Sequence, residues 1–146
     1  MVDWLEKAIK CVELVERHCD NEAKKAFRTR ARQMPSELYY VGAPYALAIL
    51  AARSSERHIF TGKSLEESIA AVCKASELGN EDKGYAVYGL CLVDALQELG
   101  IRAESLTSTL RELNKLRGVA EARLAEFVDW VKKLAEAKFE LVKHES

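Results

Sequence analysis

Residues 83–99 read KGYAVYGLCLVDALQEL, and their apolar side chains recur with the period of an α-helix. Asp82 precedes the run as a helix cap, and Gly100 follows it as a left-handed stop. The pattern therefore predicts one helix, Lys83–Leu99, with a broad apolar face formed by Val87, Leu90, Cys91, Val93 and Leu96.

The same period continues outward in both directions from this run. Asp3, Asp20, Ser64 and Ser105 are predicted helix caps. With the apolar faces that follow, they and the other patterns predict further helices that start after Asp3, at 22–34, 36–52, 64–78, 106–116 and 119–142. The chain has 146 residues with only 7 glycines and 2 prolines, so turn signals are scarce. These features predict an all-α fold: one domain over residues 1–146, built as a compact irregular bundle of about six to seven helices.

Three positions mark expected breaks in the helical pattern. We expect Pro35 to end the helix at 22–34, because the residue before a proline avoids the α region. Gly42 and Pro44 predict a kink or break near 41–43. The polar stretch 54–63 (SSERHIFTGK) is interpreted as a loop.

The last helix carries a wide apolar stripe, which predicts that it packs centrally or meets another subunit.

The spacing of the cysteines and the hydropathy of the chain indicate the cellular compartment. Cys11, Cys19, Cys73 and Cys91 form no C-x-x-C pair, and we expect four reduced, mostly buried thiols with no metal and no cofactor. Charges interrupt the first ten residues, and no run approaches the length of a membrane helix. The expectation is a cytoplasmic protein without membrane contact.

Enzyme motifs for nucleotide, zinc or acyl chemistry are missing from the sequence. His18, Cys19, Asp20 and Glu22 could ligate a metal, but a helix-terminal histidine beside an N-cap aspartate explains them better. Neither Cys73 nor Cys91 has a neighbouring histidine in sequence. We therefore expect no enzymatic activity; a loss of activity on substituting His18, Cys73 or Cys91 would reverse that view.

The five tyrosines offer a second candidate for function. Aromatic side chains can stack on bases in proteins that bind single strands. The tyrosines lie within apolar helical patterns, so we expect them to pack in the core or in an interface. The five are Tyr39, Tyr40, Tyr45, Tyr85 and Tyr88.

Charge is distributed unevenly along a chain whose net charge is −1. Residues 24–63 carry eight basic and two acidic residues, so this segment has a charge of +6 and the rest has −7. Within it, Lys25, Arg28 and Arg32 are three and four residues apart and form a stripe on one helix, with Lys24 beside it.

Like charges along a helix repel one another and favour an external polyanion, most commonly a phosphate backbone. The alternative is that this basic helix is solvated or pairs with acidic helices of its own fold. A pI near 6.3 is low for a freely diffusing nucleic-acid binder, but one basic face suffices for a module lodged among other subunits.

Two segments carry a family resemblance. Residues 31–50 (ARQMPSELYYVGAPYALAIL) place a basic helix end, a Met-Pro and a glycine before an Ala-Leu-rich helix. Residues 127–140 (FVDWVKKLAEAKFE) supply the terminal motif. In this order, over about 24–140, the chain resembles the small all-helical subunit of the type III-B CRISPR effector, the Cmr complex of the RAMP module. Met34 stands where that family has leucine, and Ala43-Pro44 follows Gly42.

The resemblance implies a non-catalytic subunit for antiviral defence. Such subunits stack in copies along the groove of the effector and contact the backbones of guide RNA and target RNA, beside other Cmr subunits that cleave RNA. Carried onto this sequence, the nucleic-acid-binding residues would be Lys24, Lys25, Arg28, Arg32, Lys132 and Lys133.

Two alternatives accompany this prediction. Similar small helical subunits serve other CRISPR effector types. The chain could also be a helical protein–protein interaction module, with Phe127, Trp130, Val131 and Leu134 as its binding surface.

Overall fold

The computed structural model describes residues 1–140, and in that part of the chain it is helical with no strand. The helices are α1 (Trp4–His18), α2 (Asn21–Val41), α3 (Ala43–Arg53), α4 (Glu56–Ile59), α5 (Leu65–Lys74), α6 (Asn80–Leu96), α7 (Leu106–Lys115) and α8 (Val119–Lys138), with a 3-10 turn at Gln97–Leu99. The expected all-α class is confirmed, with eight α-helices in the described residues. The residues 141 and 142 assigned to the last helix lie outside them.

Helix α6, which contains the run quoted first, is the central element of the bundle. Every residue from Gly84 to Val93 on this helix is buried. It packs against α2, α3, α4 and α5, while α8 packs against α1 and α2. The last helix was predicted to pack centrally or to meet another subunit; it packs mainly on α1 and α2 while α6 holds the central position, so central packing is wrong and a contact with another subunit stays a prediction.

Two glycines let α6 approach its neighbours closely. A Cβ atom added at Gly84 would lie 2.8 Å from the carbonyl carbon of Ala26 on α2, and one added at Gly89 would lie 2.5 Å from Cδ1 of Ile59 on α4. Phe27 of α2 and Tyr88 of α6 bring their ring centroids to 5.7 Å beside the first contact. The spacing of α2 and α6 thus depends on the missing side chain at position 84.

The expected end of a helix at Pro35 is wrong. Helix α2 continues through Pro35 to Val41, with Met34 and Leu38 buried on either side of the proline. Proline inside a helix costs about 3 kcal/mol because one hydrogen bond is lost, and burial of two large side chains offsets that cost. The break comes at Gly42, whose φ of 85° suits glycine, as the sequence indicated for this region.

Most of the expected caps are confirmed. The side chains of Asp3, Asp20, Ser64 and Ser105 each accept a hydrogen bond from a backbone N–H in the first turn of a helix. Asp82 does not cap α6, since that helix begins earlier, with Gly79 as its N-cap. The stretch 54–63 also contains the short helix α4 and is not loop throughout.

The expectation of four reduced cysteines is wrong in this structure. Cys11 of α1 is disulfide-bonded to Cys91 of α6, with Cα atoms 5.8 Å apart, and Cys19 is bonded to Cys73 with a Cα distance of 5.2 Å. Burial of Cys11, Cys19 and Cys91 is confirmed. The pairs are 80 and 54 residues apart in sequence, so only the packing of α1 on α5 and α6 brings them together.

Within residues 1–140, every helix is too short or too polar to span the hydrocarbon core of a membrane.

Gly84→Ala should destabilise the fold although alanine favours helices. The new Cβ would overlap backbone atoms of Ala26, which cannot move without separating α2 from α6. We expect a loss of about 1–3 kcal/mol in the free energy of unfolding, measured by denaturant titration. Gly79→Ala is the control, since nothing lies within 4 Å of its added Cβ. Equal stability of the two variants would contradict the close approach.

Chemical titration of thiols tests the two disulfides. The denatured protein, purified without reductant, should show no reactive thiol, and reduction should release four. Each bond closes a long loop, so reduction should lower the free energy of unfolding by about 2–4 kcal/mol per bond. The double variant Cys11→Ala/Cys91→Ala should release two thiols. Four reactive thiols before reduction would show that the cysteines are not paired.

Candidate nucleic-acid interface

Helix α2 separates its apolar and basic residues as the spacing predicted. Its buried residues are Ala23, Phe27, Ala31, Met34 and Leu38. The basic stripe, defined as Lys25, Arg28 and Arg32, lies on another side of the helix, and the Arg32 side chain is 58% exposed. The structure therefore presents part of the stripe to the outside.

Arg30 lies off the stripe and has a structural role. Its guanidinium carbon lies 4.4 Å from the ring centroid of Tyr85 on α6, and its Nη1 atom lies 3.8 Å from a carboxylate oxygen of Glu37. These contacts stabilise the packing of α2 on α6 and take Arg30 out of the candidate interface.

The stripe is partly neutralised by the fold itself. Lys25 Nζ lies 3.3 Å from Glu22 Oε2, and Arg32 Nε lies 3.5 Å from Glu136 Oε2 on α8. Arg28 has no ion pair within residues 1–140, and its buried Nε atom has no hydrogen-bond partner there. The two pairings are partly exposed and are worth little, so the stripe keeps donors for an external anion.

The structure brings one of the two terminal lysines toward the stripe. Glu136, which contacts Arg32, lies one helical turn after Lys132, so Lys132 shares the side of α8 that faces α2. Lys133 lies further around α8, and its Nζ is 2.6 Å from Asp129 Oδ2. Lys24 is half-buried at the start of α2, near Lys138 and Glu140 at the end of α8.

Three tyrosines are exposed where we expected packing. Tyr39 is 81% exposed, Tyr40 80% and Tyr45 60%, so packing in the core is wrong for these three, and packing in an interface stays a prediction. It is right for Tyr85 and Tyr88, which are buried on α6, and burial raises the pKa of Tyr88 well above its ordinary value. The signal that sequence reasoning missed was the continuation of α2 past Pro35, which carries Tyr39 and Tyr40 out of the core.

Glu121 fixes the corner between α2 and α3. Its carboxylate oxygens accept hydrogen bonds from the N–H of Ala43 at the start of α3 and from the N–H of Gly118 before α8, both at 2.6 Å. Burial by itself would raise the pKa of Glu121, but these backbone donors hold the pKa below its usual value. A Cβ at Gly42 would lie 3.2 Å from the same carboxylate, and the φ of 85° at this position favours glycine.

The other candidate residues have structural partners. His18 ends α1 and its Nε2 lies 2.8 Å from Glu66 Oε2, while Asp20 caps α2. This confirms the interpretation of a helix-terminal histidine beside an N-cap aspartate. Cys19, Cys73 and Cys91 are bonded to other cysteines. The hydrogen bonds from His18 and Arg17 lower the pKa of Glu66.

The apolar face proposed for a protein–protein module is not available on this surface. Phe127 and Val131 are buried at 1% and 0% exposure, and Trp130 and Leu134 are partly buried against the same core. The ring of Phe127 packs on Trp4 of α1 with centroids 6.0 Å apart. The apolar face of α8 therefore packs against other helices of the same chain.

Comparison with known proteins assigns the class of this fold. No family model matches the chain, and no curated protein matches it. Among solved structures, the chain shares its compact all-helical fold with a chain of an RNA-bound complex, with a TM-score of 0.76. That structure is described as the cryo-EM structure of the type III-B Cmr-beta complex bound to non-cognate target RNA.

The likeness extends over both chains from end to end. It covers 97% of this chain and 99% of that chain, at 20% sequence identity. The full-length structural match thereby confirms the fold that the sequence resemblance implied.

Glu121→Gln should make the free energy of unfolding less dependent on pH in the acidic range. A group whose folded pKa is depressed stabilises the fold above its unfolded pKa of about 4.3, and this contribution is lost as pH falls through the folded value. We expect the variant to be less stable than the unmodified protein by about 1–3 kcal/mol at pH 7. The difference should shrink below pH 4, as measured by denaturant titration across pH.

Glu104→Gln is the matched control for this prediction, since it removes the same charge from an exposed position in a loop. It should have little effect at any pH. A destabilisation by Glu121→Gln that stays constant from pH 7 to pH 3 would show that the charge of Glu121 does not hold the corner.

Proposed function

We propose that this chain is a non-catalytic helical subunit of a type III-B CRISPR ribonucleoprotein effector, where it contacts RNA backbones through the basic stripe. The observation that carries the proposal is the full-length likeness to a chain of a Cmr-beta complex with bound target RNA. The proposed partners are guide RNA, target RNA, other Cmr subunits and further stacked copies of this chain.

The geometry of α2 supports the choice of RNA as a partner. Arg28 and Arg32 are one turn apart on the same side, and Lys132 lies on the adjacent side of α8. Charges at this spacing suit consecutive phosphates of a backbone, which fix position without reading sequence. Arg28 has no ion pair within residues 1–140, so that part of the chain leaves its charge free to attract a phosphate.

A non-catalytic role agrees with the contacts of the chemically capable side chains. Both cysteines considered as nucleophiles, Cys73 and Cys91, are in disulfides, and a disulfide sulfur is not a nucleophile. His18 is held by Glu66 on the surface. The proposal accordingly assigns cleavage of RNA to other subunits.

Purification of the tagged full chain from its native host tests the assignment to the effector. We expect other RAMP proteins and short guide RNAs with CRISPR repeat sequence to co-purify, as identified by mass spectrometry and RNA sequencing. Recovery of the chain with neither would overturn the proposal.

Arg28→Gln/Arg32→Gln should weaken RNA binding without unfolding the chain. For a single strand, each lost phosphate contact reduces the slope of log affinity against log salt concentration by about 0.7. For the loss of both contacts, this corresponds to an affinity that is about 25-fold lower at 0.1 M salt. Fluorescence anisotropy with labelled single-stranded RNA measures the change, and circular dichroism checks the fold.

Lys63→Gln/Lys74→Gln removes the same charge from exposed positions away from α2 and α8. This control should change affinity far less than the double arginine variant. Equal losses in the two variants would mean that net charge alone, and not the stripe, governs binding.

A further inference from the structure

The continuation of α2 past Pro35 extends the basic stripe to an aromatic residue. Positions 25, 28, 32, 35 and 39 are separated alternately by three and four residues, so Tyr39 lies on the same side of α2 as Arg28 and Arg32. The distance along the helix from Lys25 to Tyr39 is about 21 Å at 1.5 Å per residue. That length accommodates several nucleotides of an extended strand.

The exposed tyrosines form a surface on either side of Gly42. Tyr39 and Tyr40 lie at the end of α2 with ring centroids 5.0 Å apart and planes at 89°, and Tyr45 lies in the first turn of α3. We call these three residues the tyrosine corner. Large aromatic side chains are seldom left this exposed without a ligand, because their burial is strongly favourable.

Basic residues lie beside the tyrosine corner, on the side of α7. A groove of about 410 Å³ lies between α3 and α7, and its lining includes Tyr45, Leu110, Arg111 and Arg117. The charged residues of that lining are both arginines, and neither has an ion pair within residues 1–140. An aromatic surface flanked by guanidinium groups is complementary to bases joined by phosphates.

We infer that the tyrosine corner stacks unpaired bases of single-stranded RNA whose phosphates continue along the basic stripe. The inference rests on the proposed function and adds the form of RNA that the chain recognises. Bases within an A-form duplex are stacked on one another and do not offer their faces, so the chain should prefer single strands or unpaired ends. Glu121 holds the two sides of the corner in place through Ala43.

Binding of the full chain to two matched RNAs tests the inference. Fluorescence anisotropy compares a labelled 15-nucleotide single strand with the blunt duplex of the same sequence, at several salt concentrations. We expect the single strand to bind at least tenfold more tightly. Tyr39→Ala/Tyr45→Ala should weaken single-strand binding about 5- to 150-fold per stacked base. Duplex affinity and the salt slope should stay unchanged.

The conservative variant Tyr39→Phe/Tyr45→Phe is the control, since it keeps the aromatic faces and should keep single-strand affinity. If the alanine variant binds the single strand normally while Arg28→Gln/Arg32→Gln binds weakly, stacking is overturned and the proposed function stands. If neither variant changes binding, both are overturned. If the alanine variant loses only self-association in sedimentation, the corner is an interface between copies and the inference is wrong.

Discussion

The contact between Gly84 and the backbone of Ala26 sets the geometry on which the rest of the bundle depends. With no side chain at position 84, α2 lies close against the buried central helix α6. Phe27 and Tyr88 then reach each other, and Arg30 stacks on Tyr85. Because these contacts fix the rotation of α2 about its axis, they also decide that Arg28 and Arg32 lie away from α6.

A second constraint acts at the other end of α2. Glu121 joins the starts of α3 and α8 through two short hydrogen bonds to backbone N–H groups, next to Gly42, whose φ of 85° favours glycine. A negative charge at two helix N-termini is favoured by the helix dipoles as well as by the hydrogen bonds. The hydrogen bonds to Glu121 therefore hold the backbone of this corner in place, while the rings of Tyr39, Tyr40 and Tyr45 are exposed.

Much of the fold and part of the site could be predicted from local patterns. The helical period, the caps at Asp3, Asp20, Ser64 and Ser105, and the break at Gly42 depend on neighbours within one turn, which sequence displays directly. The stripe on α2 follows from the same spacing. The helix end predicted at Pro35 is absent, because the local cost of proline is outweighed by burial of Met34 and Leu38, which depends on the packing of α2 against α6 and α8.

The sequence by itself determined the class of fold, the charge difference between segments and the side of α2 on which the basic residues lie, since each depends on composition or on spacings of three and four residues. Only the tertiary structure decided which helix is central, which cysteines pair and which tyrosines are exposed. Those outcomes depend on contacts between residues 50 or more positions apart, such as Cys11 with Cys91 and Ala43 with Glu121. Such contacts are selected by the packing of whole helices, which no single stretch of the chain encodes.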